Sequence, residues 1–230
     1  MNQWWMDTFF KSDPGIDPFY EDGSVVLFNC DCRLLIPHFK KWNVLITDPP
    51  YGLKFQSNHR AVAFEAIAGD DAYDYETLEK LINLSDSAAY AFCRWDNIFD
   101  WPKHLKPNSF ISWWKDNWGM GSLETDYARQ YEMAAYWARE NHKWANGRPR
   151  DVIQRSRVNP TSMIHATEKP QSLLLELVNA NVCETVVDVY AGSGSTLAAA
   201  KEARKKALGC ELSLDYCEKI ANRLGQGYLL

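Results

Sequence analysis

The clearest hydrophobic pattern lies in the last third of the chain. Thr185–Tyr190 (TVVDVY) is a short β-branched run and predicts a strand. Ala191-Gly192-Ser193-Gly194 follows as a turn. The Ala-rich stretch Ser195–Lys206 predicts a helix, with Ser193 or Ser195 near its N-cap. Ala207–Leu212 predicts a second strand, and Ser213 caps a helix that runs to about Leu224 before Gly225. This β-loop-α-β-α order points to a parallel sheet. Just upstream, Lys169-Pro170 opens a helix from Gln171 to about Asn181, with proline near its first turn.

The first half alternates in the same way. Val25–Asn29 and Asn43–Thr47 predict strands on either side of a short helix around Cys32–Lys40. Asp74–Ser85 predicts a helix, Ala88–Cys93 a strand, Asp96–Leu105 a helix containing Pro102, and Ser109–Trp114 a strand. Lys115–Ile164 has mixed polarity and many aromatic, glycine and arginine residues, which marks it as an inserted specificity region. The expectation is a single α/β domain spanning residues 1–230, with parts at 23–114, 115–164 and 165–224. The first 22 or so residues, rich in Trp and Phe, are expected to pack on the body as an aromatic arm.

Composition narrows the class. An apolar content of 46% and a charged content of 24% over 230 residues are those of an ordinary globular protein. No apolar run approaches the ~18 residues of a membrane span. The opening Met1–Asp7 has neither a basic n-region nor an apolar h-region, so a cytoplasmic protein is expected. None of the six cysteines is spaced C-x-x-C, so buried thiols are expected rather than a metal site or disulfides. The net charge of −5 discourages nucleic acid as a partner, but the charge is uneven. Residues 1–100 carry −8 and residues 101–230 carry +3, with +4 concentrated in 139–157. Such a stripe can meet phosphate.

Two segments carry candidate chemistry. Asp48-Pro49-Pro50-Tyr51 follows the apolar run Val44–Thr47 directly. A strand ending there presents a carboxylate, a bare carbonyl and an aromatic ring at the carboxyl edge of a parallel sheet, where open α/β proteins bind ligands. The prolines stiffen the loop and prevent a helix from continuing. The second segment is the glycine loop after Asp188, whose backbone N–H groups at a helix N-terminus suit an anion or a cofactor. Glu211 ends the next predicted strand, 23 residues after Asp188, where dinucleotide folds place the acceptor of a ribose diol. The G-x-G-x-x-G fingerprint is incomplete: Gly192 and Gly194 are present, but Leu197 holds the third position. No Gly-Lys dipeptide occurs, which excludes a Walker A loop, and neither Ser193 nor Ser195 fits G-x-S-x-G.

Asp48–Tyr51, the run His165-Ala166-Thr167-Glu168-Lys169-Pro170, and Asp188 with Ala191–Ser195 together resemble the S-adenosylmethionine-dependent amino-group DNA methyltransferases. Their order resembles the circularly permuted beta class, in which the catalytic motif precedes target recognition and the cofactor motifs come last. Asn117–Gly121 and Tyr127–Glu132 resemble the segment leading into target recognition. The resemblance extends from about Val25 to Leu224. Val189-Tyr190 stands where the family usually has Pro-Phe, and Ala166 where it often has Pro; neither removes a reacting group.

The resemblance implies a Rossmann-like fold, with a mostly parallel seven-stranded sheet and a small inserted target-recognition region. It implies S-adenosylmethionine as cofactor and no metal. Asp48, Pro49, Pro50 and Tyr51 are then catalytic. Asp31, Thr167, Lys169, Asp188, Ala191, Gly192, Ser193, Gly194 and Glu211 are cofactor-binding. For Lys169 two readings stand, contact with the methionine carboxylate or a surface lysine before a helix. DNA contact is expected from Gln56, Ser57, Asn58, His59 and Arg60, and from Arg148, Arg150, Arg155 and Arg157. Double-stranded DNA is the implied partner, a homodimer and a cognate restriction enzyme are further candidates, and a bacterial or phage source is expected. Asp before Pro-Pro-Tyr leans to adenine N6, and N4-cytosine methylation is the alternative. A nicotinamide-dependent oxidoreductase and an inactive DNA-binding relative are the readings from other classes. No cysteine follows a proline, which disfavours C5-cytosine methylation.

Overall fold

The computed structural model describes residues 3–51, 74–118, 124–125, 127–159, 161, 163–165 and 167–225. Helix α1 (Trp4–Phe9) opens the chain, followed by strands β1 (Tyr20–Glu21), β2 (Val25–Asn29) and β3 (Trp42–Thr47). Then come α2 (Tyr75–Leu84), β4 (Ser85–Cys93), β5 (Ser109–Trp114), β6 (Tyr131–Ala138) and β7 (Val152–Gln154). The C-terminal part is α3 (Gln171–Asn179), β8 (Thr185–Asp188), α4 (Ser195–Glu202), β9 (Lys206–Glu211) and α5 (Leu214–Gly225).

Among the described residues these strands form one nine-stranded sheet in the order β1-β2-β9-β8-β3-β4-β6-β5-β7. The five from β2 to β4 are mutually parallel, β6 is antiparallel to β4 and β5, and β7 is parallel to β5. The seven strands from β2 to β5 make the expected sheet. Two short strands, β1 and β7, lengthen its edges beyond the expected seven. The fold is thus α/β with a mostly parallel, Rossmann-like sheet.

Side-chain alternation divides the core into two apolar layers. Val25 and Leu27 of β2, Val44 and Ile46 of β3, and Val186 of β8 pack with α3, α4 and α5 through Leu173, Leu177, Leu197 and Ile220. Val26, Phe28, Leu45 and Val187 face the other way, onto α1 and α2 through Trp5, Phe9, Leu78 and Leu81. The inner strands are apolar on both faces because helices cover both. Helix α2 begins where the Asp74 carboxylate accepts from the Thr77 amide at 2.9 Å. In α5 the buried positions Cys217, Ile220 and Leu224 recur at helical spacing. The aromatic arm docks on the same body: Trp5 and Phe10 meet Phe28 edge-on at 5.5 and 5.7 Å.

Three expected elements differ. Cys32–Lys40 is not one helix but two 3-10 turns, Cys32–Leu34 and Ile36–His38, because Pro37 has no amide to donate. Asp96–Leu105 is likewise two 3-10 turns, Asn97–Asp100 and Lys103–Leu105, with Trp101 forced extended before Pro102. The stretch 115–164 is not simply an insertion: it supplies β6, which sits inside the sheet between β4 and β5.

Candidate active site

Strand direction decides where the chemistry gathers. From β8 the chain passes through α4 to β9 on one side; from β3 it passes through α2 to β4 on the other. β3 and β8 are adjacent, with Val44 opposite Val186 and Leu45 opposite Val187. The point between them is therefore a topological switch, where the loops that follow two neighbouring strands part and leave a crevice at the carboxyl edge. Asp48–Tyr51 leaves the end of β3, and Val189–Gly194 leaves the end of β8. Asn29 lies opposite Glu211 at the same edge. The expected catalytic and cofactor segments thus share one end of the sheet.

Asp48 is held from two sides. The Tyr51 hydroxyl donates to its Oδ1 at 2.5 Å, and the Lys169 ammonium donates to its Oδ2. Pro49 is buried and Pro50 half-buried. Lys169 Nζ also reaches the Thr167 carbonyl at 3.3 Å and Glu132 Oε2 at 3.5 Å, while Lys115 donates to Glu132 Oε1. Burial alone would push the Lys169 ammonium down, but the Asp48 and Glu132 charges reverse this and hold it above its ordinary value. Burial acts on Glu132 in the opposite sense and is outweighed by Lys169 and Lys115, so its carboxyl is lowered. Of the two readings of Lys169, the surface lysine before a helix does not hold: the side chain is buried, because its ammonium is paired with Asp48 and Glu132.

The loop after β8 is shaped by its own hydrogen bonds. The Ala191 amide donates to the Cys210 carbonyl at 3.0 Å, and the Gly194 amide to the Ala191 carbonyl at 2.7 Å. Gly192 and Gly194 have φ of +53° and +74°, conformations that favour glycine. A Cβ on Gly194 would also lie 2.8 Å from Ile220, so close approach to α5, and not to a ligand, demands this glycine. Gly192 has no such neighbour within 3.8 Å, and its requirement is the backbone angle. Glu211 Oε2 accepts from the Gly192 amide at 2.8 Å, and Oε1 from the Ser213 amide at 2.9 Å. Burial pushes the Glu211 carboxyl up, and these two amides hold part of that shift back.

Asp188 is turned inward. Its Oδ1 accepts from Thr47 Oγ1 at 3.1 Å and from the Tyr190 amide at 3.2 Å. Burial, aided by the Asp48 charge, pushes its carboxyl up to about 6. It braces the two strand ends against each other. Asp31 caps the turn Cys32–Leu34 and is bidentate to the exposed Arg33 guanidinium. Thr167 donates through its amide and hydroxyl to the His165 Nδ1, at 3.2 and 3.1 Å. The Ser193 and Ser195 hydroxyls are paired at 2.9 Å.

The basic candidates separate. Arg155 and Arg157 follow β7 at the edge that carries Asp48, because Gln154 pairs with Trp114 at the end of β5. Arg155 is paired with Glu176, and Arg157 donates to Asn117 at 3.4 Å. Arg148 and Arg150 are exposed on the amino-end side of β7. Gln56, Ser57, Asn58, His59 and Arg60 lie outside the described residues. The same carboxyl edge exposes Trp95, Trp114, Trp118, Tyr127 and Tyr131.

The sequence profile of the DNA methylase family (N6/N4) matches residues 42–223. The chain belongs to the N6/N4 DNA methylase family. The methylase is 23% identical over 250 residues to the type II methyltransferase M2.LlaDCHI of Lactococcus lactis subsp. cremoris, covering 91% of this chain and 93% of that one. Its fold is similar to that of the M1.HpyAVI–SAM complex, with a TM-score of 0.64 and 21% identity over 86% of this chain and 99% of the other. It is similar to the PvuII cytosine-N4-specific DNA methyltransferase at a TM-score of 0.68, with 12% identity over 94% of this chain and 92% of that chain. TTHA0409 of Thermus thermophilus, complexed with S-adenosyl-L-methionine, shares 16% identity at a TM-score of 0.56, over 87% of this chain and 93% of that one.

Three site residues of the methylase escape sequence reasoning. Glu132 lies in β6 and Lys115 directly after β5, and no spacing in the sequence ties either to Asp48. Arg223 of α5 reaches back to the buried Glu168 at 2.8 Å, to the Ser195 hydroxyl at 3.0 Å and to the Ser193 carbonyl at 3.2 Å. Glu168 Oε2 in turn accepts from the Ile164 amide at 2.7 Å. This pair ties the last helix to the start of α4 and so fixes the glycine loop. Among the described residues no three His, Cys, Asp or Glu side chains group as a metal site, and no helix is long and apolar enough to cross a membrane.

Proposed function

We propose that the switch-point site transfers the methyl group of S-adenosylmethionine to the N6 amino group of adenine in duplex DNA, after the base is flipped out of the stack. The observation that carries this reading is the convergence of Asp48–Tyr51 with the Gly192–Glu211 loop on one end of the sheet, in a chain of the N6/N4 DNA methylase family.

The residues present fit the cofactor. Glu211 is largely enclosed, and each of its oxygens accepts one amide and keeps a lone pair for a ribose hydroxyl. Asp31, on the neighbouring strand end, is a second acceptor for the adenosine moiety. Bound there, the cofactor supplies an electrophilic sulfonium methyl group. Arg223 and Glu168 keep the loop fixed around it.

An exocyclic amine is a poor nucleophile, because its lone pair is delocalised into the ring. The Asp48 carboxylate accepts one N–H of this amine and the Pro49 carbonyl another, which favours a pyramidal nitrogen with its lone pair aimed in line. The contribution is orientation and electrostatics in a preformed site. A stacked base is out of reach inside a duplex, so flipping precedes the reaction. Tyr51 then covers one face of the base, worth about 1–3 kcal/mol by analogy with bases stacked on single-strand-binding proteins. Exposed Trp114, Trp118 and Tyr131, with Arg155 and Arg157 alongside, suit a strand held near the pocket.

Methyl incorporation from labelled cofactor into duplex DNA tests this reading. Asp48→Ala should lose about 100-fold or more in rate, as expected when a preorganised acceptor is removed. Its cofactor affinity should hold, while its melting temperature should fall, because the buried Lys169 ammonium loses its nearest counter-charge. Glu211→Ala should weaken cofactor binding by about 1–3 kcal/mol in calorimetry. Full activity in Asp48→Ala, or tight binding of a nicotinamide dinucleotide in place of S-adenosylmethionine, contradicts the proposal.

A further inference from the structure

We infer that Lys169 and Glu132 are positioning residues for Asp48, holding its carboxylate so that its remaining lone pairs face the target amine. The inference rests on the reading of the site as an amino-methyltransferase. Its ground is the geometry of the charge chain that runs from Lys115 through Glu132 and Lys169 to Asp48.

A lysine ammonium has three donors. In this site two of them bond Asp48 Oδ2 and the Thr167 carbonyl, and the Glu132 carboxylate pairs with the ammonium at 3.5 Å. The Phe92 ring lies 4.9 Å from the same nitrogen and closes the remaining side. Only 6% of the Lys169 side chain is accessible, and its two hydrogen bonds and its second ion pair face Asp48, Thr167 and Glu132. The two oxygens of Asp48 each accept one bond, from Tyr51 and from Lys169. Two bonds on different oxygens fix the plane of the carboxylate, and each oxygen retains a lone pair.

Glu132 makes this arrangement tolerable in a buried place. An enclosed ammonium with one carboxylate would bind it as a tight pair and compete with the substrate for the acceptor. With Glu132 on its other side, and Lys115 balancing Glu132, the four groups sum to zero charge and Lys169 is shared. The other titratable groups felt at this point are His165 before α3, Cys93 at the end of β4 and Asp188 at the end of β8. The hydrogen bonds of the Lys169 ammonium run to Asp48 and Thr167, and its further ion pair to Glu132. The elements involved are far apart in sequence, and only the sheet order β8-β3-β4-β6 brings them together.

The test separates positioning from cofactor contact and from simple structural support. Lys169→Met, Glu132→Gln and Asp48→Asn are compared for kcat, cofactor Kd and melting temperature. Lys169→Met should lower kcat by about 100-fold and Glu132→Gln by about tenfold, the scale of losing orientation at a reacting centre, with cofactor Kd changed less than about threefold. Asp48→Asn combined with Lys169→Met should be no worse than the more damaged single variant, because both changes remove one interaction. Should Lys169→Met fail to fold, Glu132→Gln carries the comparison, since it removes a charge at unchanged shape.

A second measurement needs no turnover and so distinguishes failure of this inference from failure of the enzymatic reading. The nitrogen-15 resonance of the Lys169 ammonium, assigned by its loss in a folded Lys169 variant or by its contact with Phe92, should move in Asp48→Asn and in Glu132→Gln. It should stay in place on addition of S-adenosylhomocysteine, which carries the same carboxylate as the cofactor. A cofactor Kd weakened about tenfold or more with kcat retained would overturn the inference. So would a resonance that moves with the product and not with Asp48→Asn.

Discussion

Asp48 and Tyr51 stand three residues apart, and their hydrogen bond is local. Local proximity is why this pair is legible in the sequence, as a tetrapeptide that ends an apolar run. The hydroxyl contact adds a role that the sequence does not show. Tyr51→Phe keeps the stacking ring but frees Asp48 Oδ1; Tyr51→Ala loses both. In steady-state methyl transfer Phe should lie within about tenfold of wild type, matching one hydrogen bond of about 1 kcal/mol. Ala should lose more, and equal rates for Phe and Ala would deny the ring its role. Lys169 is the opposite case: its partner Asp48 is 121 positions away, so no spacing rule could choose between its two readings.

Asp188, expected to touch the cofactor, has its own pH signature. Its carboxyl titrates at about 6 when folded, against 3.8 as a free side chain. The folded protein therefore holds this proton where the unfolded chain has released it. Stability from this group is fully present below about pH 4 and is lost as pH rises through about 6. Asp188→Asn stays neutral and keeps an acceptor for Thr47 and the Tyr190 amide. Urea unfolding should show the variant gaining on wild type by up to about 3 kcal/mol between pH 4 and pH 7. A difference that does not vary with pH would contradict the inward role.

At the scale of elements, the strands buried on both faces are readable because they are short unbroken apolar runs, as in Val25–Asn29 and Thr185–Asp188. Helices α2 and α5 are readable from caps and spacing; α4 is readable from its Ala-rich run, but the expected Ser193 or Ser195 cap is not there, because Gly194 in a left-handed conformation holds the N-cap. Strand β6 is not. Its sequence YEMAAYWA gives no clean alternation, because one end faces the charged site and the other is an Ala-rich run pressed between β4 and β5. Proline placement explains the two interrupted helices, since Pro37 and Pro102 stop α-helix growth. Gly209 shows what close packing adds. A Cβ there would lie 2.5 Å from Leu197 of α4 and 3.2 Å from Leu27 of β2. Gly209→Ala should destabilise the fold by about 1–3 kcal/mol, as overpacking does. Leu197→Ala should cost less in that background than in wild type, because it opens the space the new methyl needs. Additive losses in thermal melts would place the strain elsewhere.

For the whole molecule, the order of strands is what turns dispersed residues into a site. Parallel strands β2, β9, β8, β3 and β4 all end at one edge, so Asn29, Glu211, Asp188, Asp48 and Cys93 arrive together although they span most of the chain. The sequence pattern predicts a parallel sheet but not which strands are neighbours, and that order decides that Glu132 meets Lys169. We propose that this edge methylates the exocyclic amine of adenine. The most direct measurement is nucleoside mass analysis of duplex DNA after incubation with the purified protein and deuterated-methyl S-adenosylmethionine. Labelled N6-methyladenine should be the methylated nucleoside, formed about 100-fold or more slowly with Asp48→Ala. Labelled N4-methylcytosine alone would contradict the choice of base, and no labelled nucleoside would contradict the site itself.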